Sequence, residues 1–469
     1  MRRSVAIFIM LTLCVLSRAL SAEPIAPIQS MIDQAGDHER VVIPPGNYEG
    51  RLKIMHPVVI DGQGKVTIDG GEEGSVIEIT SPDVTIRGLH ITGSGQRVSD
   101  EQAGIKSVAG PVTIEDNVLE DVYFGIDLKQ APGSVIRNNT ISGKDLEIGR
   151  RGDGIRLWWS HNCQITGNAV HSLRDMVFWY SEDLHISHNT VTDSRYGLHF
   201  MYSHNTVIEE NDLARNSVGI YLMYSNNIHL LRNQIYNNRG SSGYGIGLKD
   251  DDAIVVEDND LLANRVGLYI DNSPSSIDSV GLVKGNRIAF NEVGLLATPN
   301  THDNVITENA FIENEEQVTV HGGGQLSLNT FASEGRGNFW SDYNGFDQNH
   351  DGIGDFPHAP SSLFRTLLAR DPNLRLFVHS PAQQAVELTA RAFPEISPKP
   401  MFTDPAPLAS VPVFKDGGDA ARSFPMPMAA LALGLLAVAA GAIWRLAGHD
   451  PCRHIWAQSS PHIKQKVQA

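Results

Sequence analysis

Three side chains with soft or borderline donor atoms sit on neighbouring repeats of this sequence: His199 and Met201 in GLHFMYS, and Met223 in GIYLMYS. Read as strands, both segments alternate. Leu198, Phe200, Ile220 and Leu222 point inward, while His199, Met201, Tyr221 and Met223 point to solvent. One imidazole with two thioethers suits Cu(I). The two preceding repeats place Arg156 and Trp158, then Val177 and Trp179, at the same outward positions. Beside them run Trp159, Tyr180, Tyr202 and Tyr224, which predicts an exposed ladder of aromatics and methionine. Such a face is covered by a partner protein or the C-terminal segment, stacks sugars, or holds a soft metal. Its docking residues are Trp158, Trp159, Trp179, Tyr202 and Tyr224.

The acidic groups offer different chemistry. Asp250, Asp251 and Asp252 after Lys249, and more weakly Asp153 with Arg156, could supply the carboxylates a polysaccharide lyase, hydrolase or epimerase needs. The triplet falls where a strand ends, so a turn is the favoured reading. In DQNHDGIGD, Asp347, Asn349 and Asp351 alternate, Gly352 supplies a turn and Asp355 stands ninth, as in half a calcium loop. Position twelve is His358 rather than Glu, and a metal-free Asx-turn loop fits equally well.

Whatever positions these groups must repeat. Asn follows an apolar strand at 117, 139, 168, 189, 211, 233, 259, 286, 309 and 329, a mean spacing of about 23.6 residues. A second column begins with Gly: GIDL at 125, GIRL at 154, GLHF at 197, GIYL at 219, GIGL at 245, GLYI at 267 and GLLA at 294, with Asp175 in the Gly slot of DMVF. Short alternating strands closed by Asn, Gly and Ser turns predict an all-β chain. The expected fold is a right-handed parallel β-helix of about 12–13 coils, stacked at ~4.8 Å.

The expected organisation is a signal peptide at 1–22, the β-helix at 25–330, and a C-terminal extension with a Pro-rich linker at 331–427. A transmembrane helix at 428–447 and a cytoplasmic tail at 448–469 follow. Arg445, Arg453, Lys464 and Lys466 after the apolar run put the tail in the cytoplasm and the β-helix outside. With 41% hydrophobic and 19% charged residues, the 469-residue chain can build a core. A formal charge of −17 argues against nucleic-acid binding. Its three widely spaced cysteines make no disulfide framework.

The segments GRRGDGIRLWWS, RYGLHFMYS, GIYLMYS, YGIGLKDDD, GLYIDNSPS and GNFWSDYNGFDQNHDGIGDFPH, in this order, resemble the NosD family of periplasmic accessory proteins of nitrous oxide reductase maturation. The resemblance runs from about residue 25 to 405, and the paired MYS coils with the GNFWSDY…DGIGD tail are its specific part. It implies a non-enzymatic scaffold and metallochaperone-type factor, docked on an ABC transporter built from the NosF ATPase and the NosY membrane subunit. It also implies the reductase and the copper chaperone NosL as partners, copper as a transient cargo, and a periplasmic place anchored to the inner membrane. A β-helix polysaccharide lyase or epimerase is the alternative. Residues 176–181 read MVFWYS where another Met- or His-bearing coil is expected, so no metal role is carried to them.

Overall fold

The computed structural model describes residues 22–378 and 380–414. The signal peptide, apart from residue 22, the membrane helix at 428–447 and the tail at 448–469 lie outside the described residues. No helix among the described residues is long and apolar enough to cross a membrane.

The chain winds into a parallel β-solenoid of about 13 turns. Twelve strands, from Leu52–Ile54 to Glu316–Val320, stack as one sheet, and the other 24 strands among the described residues join in a second. Alternation dictates the interior. Leu157 pairs with Phe178, Phe178 with Phe200, Leu222 with Leu248, and Leu248 with Ile270, all of them buried. Phe178 and Phe200 stack with centroids 4.8 Å apart.

The two columns that carry the repeat have separate physical causes. A Cβ on Gly197, Gly219 or Gly245 would stand 2.5, 2.5 or 2.6 Å from the carbonyl oxygen of the glycine on the next coil. Only hydrogen fits there. The asparagines form a buried ladder in which each Nδ2 donates to the Oδ1 of the next coil: Asn189 to Asn211 at 3.0 Å, Asn211 to Asn233 at 2.9 Å, and Asn286 to Asn309 at 2.8 Å. The same Oδ1 accepts the previous asparagine's backbone N–H, so one amide satisfies backbone that the corner would strand. The ladder does not continue to Asn329. Asn309 donates to Asn338 at 2.9 Å, whereas Asn329 serves Asn304 in another column.

Both ends of the core are covered. Helix α1 (Ala26–Gln34) buries Ile28 and Ile32 over the first coil. At the other end pairing continues past residue 330, where Phe339–Trp340 joins Ala310–Ile312 and Trp340 stacks on Phe311 at 4.3 Å. The chain then forms helices α2 (Leu363–Arg370) and α3 (Pro381–Ala392) and returns to place Phe402 against Phe331 and Trp340.

Candidate functional site

On the outward face of the twelve-stranded sheet, strands Asp175–Trp179, Tyr196–Met201 and Val218–Met223 lie on consecutive rungs. Val177 pairs with His199 and His199 with Tyr221, while Trp179 pairs with Met201. Met223 follows Tyr221 by two residues, so Met201 and Met223 occupy neighbouring rungs about 4.8 Å apart. Both are half-buried. The methionine column thus runs between His199 on one side and the turn carrying Tyr202 and Tyr224 on the other.

His199 departs from its predicted exposure: it is 5% exposed. Alternation set its direction correctly but could not show what covers it. Trp179 and Tyr196 meet its ring edge-on at 5.6 and 4.9 Å, and Tyr221 lies over it at 6.5 Å. Nδ1 lies 3.4 Å from Asp175 Oδ2, and neither ring nitrogen makes a hydrogen bond. The neighbouring Trp179 Nε1 is likewise buried without a partner. Burial pushes the Asp175 carboxyl up, but His199 and a two-pronged contact from Arg195 outweigh it and hold it below the usual range. Asp175 is therefore an anion fixed beside the imidazole.

The aromatic ladder is present, with uneven exposure. Trp159 and Tyr202 are 49% and 41% exposed, whereas Trp158, Trp179, Tyr180 and Tyr224 are half-buried. Trp159, Tyr180, Tyr202 and Tyr224 stack at 5.1, 5.3 and 5.0 Å with planes within 6 to 14°. All four have φ between 51 and 53°. A bulky residue in the left-handed region costs roughly 1 kcal/mol. The same turn is made by Gln130 and Asp250 on other coils, at φ 52°, so the solenoid does not require aromatics there. Their identity reflects the surface rather than the turn.

Sequence reasoning missed Asp175 and Arg195 as one ion pair, and Tyr196, Tyr244 and Tyr269 as an extension of the aromatic cover. The only sequence signal was a repeated Asp–Arg separation of 21 and 20 residues, close to the coil length: Arg174 reaches back to Asp153 as Arg195 does to Asp175. Tyr221, Tyr244 and Tyr269 follow one another at 6.2 and 4.3 Å.

The other candidate groups serve the fold. Asp251 is buried and accepts the N–H groups of Ser225 and Lys249, both at 2.8 Å; burial pushes its carboxyl well above the usual range. Asp252 binds Ser275 and Ser276, and Asp250 accepts from Asn272 at 2.6 Å. Arg156 turns from Asp153 to Asp127 and Glu101, each at 2.8 Å. In the 347–355 loop, Asp347 accepts Gly352 N–H, Asp351 accepts Ile353 N–H and Asp355 accepts Gln348 N–H, at 2.9, 2.8 and 2.9 Å. Asn349 accepts Asp351 N–H at 3.1 Å. Among the described residues no three His, Cys, Asp or Glu side chains gather as a metal site.

A family model described as "Periplasmic copper-binding protein (NosD)" matches residues 138–345, and one described as "Protein of unknown function (DUF1565)" matches 19–230. A relative from Pseudomonas aeruginosa, named "Probable ABC transporter binding protein NosD", is 31% identical over 415 residues, spanning 85% of this chain and 95% of the relative. A protein of the same name from Stutzerimonas stutzeri is 28% identical, spanning 86% and 94%. Similar solved structures include the A-module of the Azotobacter vinelandii mannuronan C-5 epimerase AlgE6, with 16% identity, TM-score 0.43, and coverage of 66% of this chain and 94% of that one. A hyperthermoactive exopolygalacturonase from Thermotoga maritima has 13% identity, TM-score 0.42, and coverage of 66% and 88%. At this distance the two enzymes carry no functional argument.

Proposed function

This chain belongs to the NosD family, and on that footing we propose that it is a periplasmic scaffold that binds an ABC transporter and hands copper on for the copper–sulfide centre of nitrous oxide reductase. The transporter partner is the NosF ATPase with the NosY membrane subunit, NosL supplies copper, and the segment at 428–447 anchors the chain to the inner membrane. One observation carries the reading. The half-buried thioethers of Met201 and Met223 run between His199, whose Nε2 is buried without a partner, and a stacked aromatic ladder. Soft donors in this setting suit Cu(I) as cargo, and the ladder gives the receiving protein an apolar landing around it. The loop with Asp347, Asn349, Asp351 and Asp355 is proposed as a weak Ca²⁺ site that would trade its internal amide bonds for the cation. The lyase or epimerase alternative gains nothing from Asp153 and Asp251, which are held in an ion pair and a turn.

The full-length protein is expected to bind one Cu(I) per chain in competition with a chromogenic chelator. The His199→Ala/Met201→Ala/Met223→Ala variant should lose it, and cells carrying that variant should make a reductase lacking the copper–sulfide centre. Absence of Cu(I) binding by the unmodified protein would reduce the face to a docking surface.

A second variant separates docking from copper. Trp159→Asn/Tyr202→Asn places a residue tolerant of φ near +50° at both turns, so the fold should hold while the apolar landing shrinks. Binding to the purified transporter or reductase should weaken at least tenfold, with Cu(I) stoichiometry unchanged. Unaltered binding to both partners would show that the ladder faces neither.

A further inference from the structure

Four to five rungs beyond His199, on the same outward column, Leu296 and Thr319 form part of the floor of a cavity of about 1050 Å³. Its other wall comes from the extension. Five cations line it: Arg365 and Arg370 of α2, Arg375, Arg391 of α3, and Lys399. Residues 361–400 carry these five basic groups against three acidic ones, in a chain whose formal charge is −17. The concentration is local and opposite in sign to the whole.

The cations are not consumed within the fold. None of the five forms an ion pair among the described residues, although many arginines on the coils do, including Arg174, Arg195 and Arg215. The acids around the cavity are engaged instead. Glu387 accepts Phe364 N–H at 3.0 Å and the Ser362 hydroxyl, Glu316 accepts the Thr319 hydroxyl, and Asp342 lies 3.6 Å from His358 Nε2. The first amides of α2 are likewise taken, by Glu387 and by Ser362 Oγ. These three carboxylates keep their charge but are tied up by hydrogen bonds and a histidine of the fold, so five cations against three anions leave the lining with a net positive excess of two.

We propose that this cavity binds a polyanion of small-molecule size, a molecule bearing two or more carboxylate or phosphate groups. The volume matches a drug-sized ligand rather than a lone inorganic ion. Guanidinium forks approaching from two helices suit planar carboxylate or phosphate oxygens better than ammonium groups would. Bulk solvent does not exclude such a ligand, so affinity rests on several cations acting together and falls with salt. The same chemistry could come from a soluble metabolite or from the headgroup of an anionic phospholipid.

Citrate and pyrophosphate serve as probes, titrated calorimetrically at low ionic strength into the full-length protein in neutral detergent. One equivalent of at least one probe should bind. Arg365→Gln/Arg391→Gln should weaken binding at least tenfold, and so should Lys399→Glu, whose exposed residue lies outside both helices. Arg137→Gln, on a remote coil where it pairs with Glu115, should leave it unchanged. A second arm reconstitutes the protein in nanodiscs. Loss of probe binding in phosphatidylglycerol but not phosphatidylcholine discs identifies the headgroup as occupant, and equal binding in both identifies a soluble anion. No heat with either probe at millimolar concentration, or equal affinity in Lys399→Glu, overturns the proposal.

Discussion

Asn211→Ala is expected to open the middle of the solenoid. The Asn211 Nδ2 donates to Ile186 O, Glu209 O and Asn233 Oδ1 at 3.0, 3.0 and 2.9 Å, and its Oδ1 accepts both Asn189 N–H and Asn189 Nδ2 at 3.0 Å. Alanine removes all five bonds and leaves buried donors on one coil and buried carbonyls on two. Each stranded group costs about 1–3 kcal/mol, some of it recovered by entering water, so a loss on the order of 4 kcal/mol is expected. Asn211→Asp should do no better at neutral pH, because its second oxygen would face three acceptors. A stack of nearest-neighbour coils does not melt as one unit, and a single melting temperature would blur the effect. Hydrogen exchange resolves it: amides of the coils around Asn189 and Asn233 should lose protection while those around Ile86 and Ile306 keep it. Unchanged protection in the middle would mean that packing of Ile186, Ile208 and Leu230 carries the corner without the amide.

That ladder was legible in the sequence because each coil must present the same side chain at the same corner, and a missing asparagine would strand the next coil's backbone. The glycine column was legible for an equally strict reason, since the coils leave no room for a Cβ at Gly197 or Gly219. Where the constraint loosened, the reading slipped. Asn329 has the right spacing from Asn309, but the coil that completes the ladder is longer and delivers Asn338. His199 was placed on the correct face and given the wrong exposure. Period two reports direction, whereas its cover comes from Trp179, Tyr196 and Tyr221 on three rungs, two of them outside its own column or strand. The ion pairs of Arg174 and Arg195 were harder still, because their spacing coincides with the coil length and so looks like repeat rather than chemistry.

Nothing periodic announces Asp404, yet the end of the solenoid closes on it. It is fully buried, 66 residues beyond Asn338, and takes the place of the next asparagine. Its Oδ2 accepts Asn338 N–H at 2.7 Å, Asn338 Nδ2 at 3.4 Å and Trp340 Nε1 at 2.8 Å, and its Oδ1 accepts Ala406 N–H at 3.0 Å. Asp404→Ala should therefore cost roughly 3 kcal/mol, concentrated where the extension meets the last coil. Limited proteolysis should cut the variant within 331–400 while the coils up to Asn309 stay resistant, because a solenoid loses its terminal rung without losing the rest. Burial pushes the Asp404 carboxyl above the usual range despite the donors around it. A raised carboxyl stabilises the fold most below its unfolded pKa, and that share is lost as pH rises through the folded value. His358, stacked on Trp340 and bonded to Asp404 through the backbone, has its own pKa pushed down by burial and acts in the opposite sense. The Asp404 share is therefore read as a difference: the stability gap between the unmodified chain and Asp404→Ala should narrow on going from acid toward neutral pH. Resistance equal to the unmodified chain at both pH values would leave the aromatic stack of Phe311, Phe331, Trp340 and Phe402 as sufficient closure. The extension would then be held by apolar packing, and the carboxylate would merely fill the final place in the ladder.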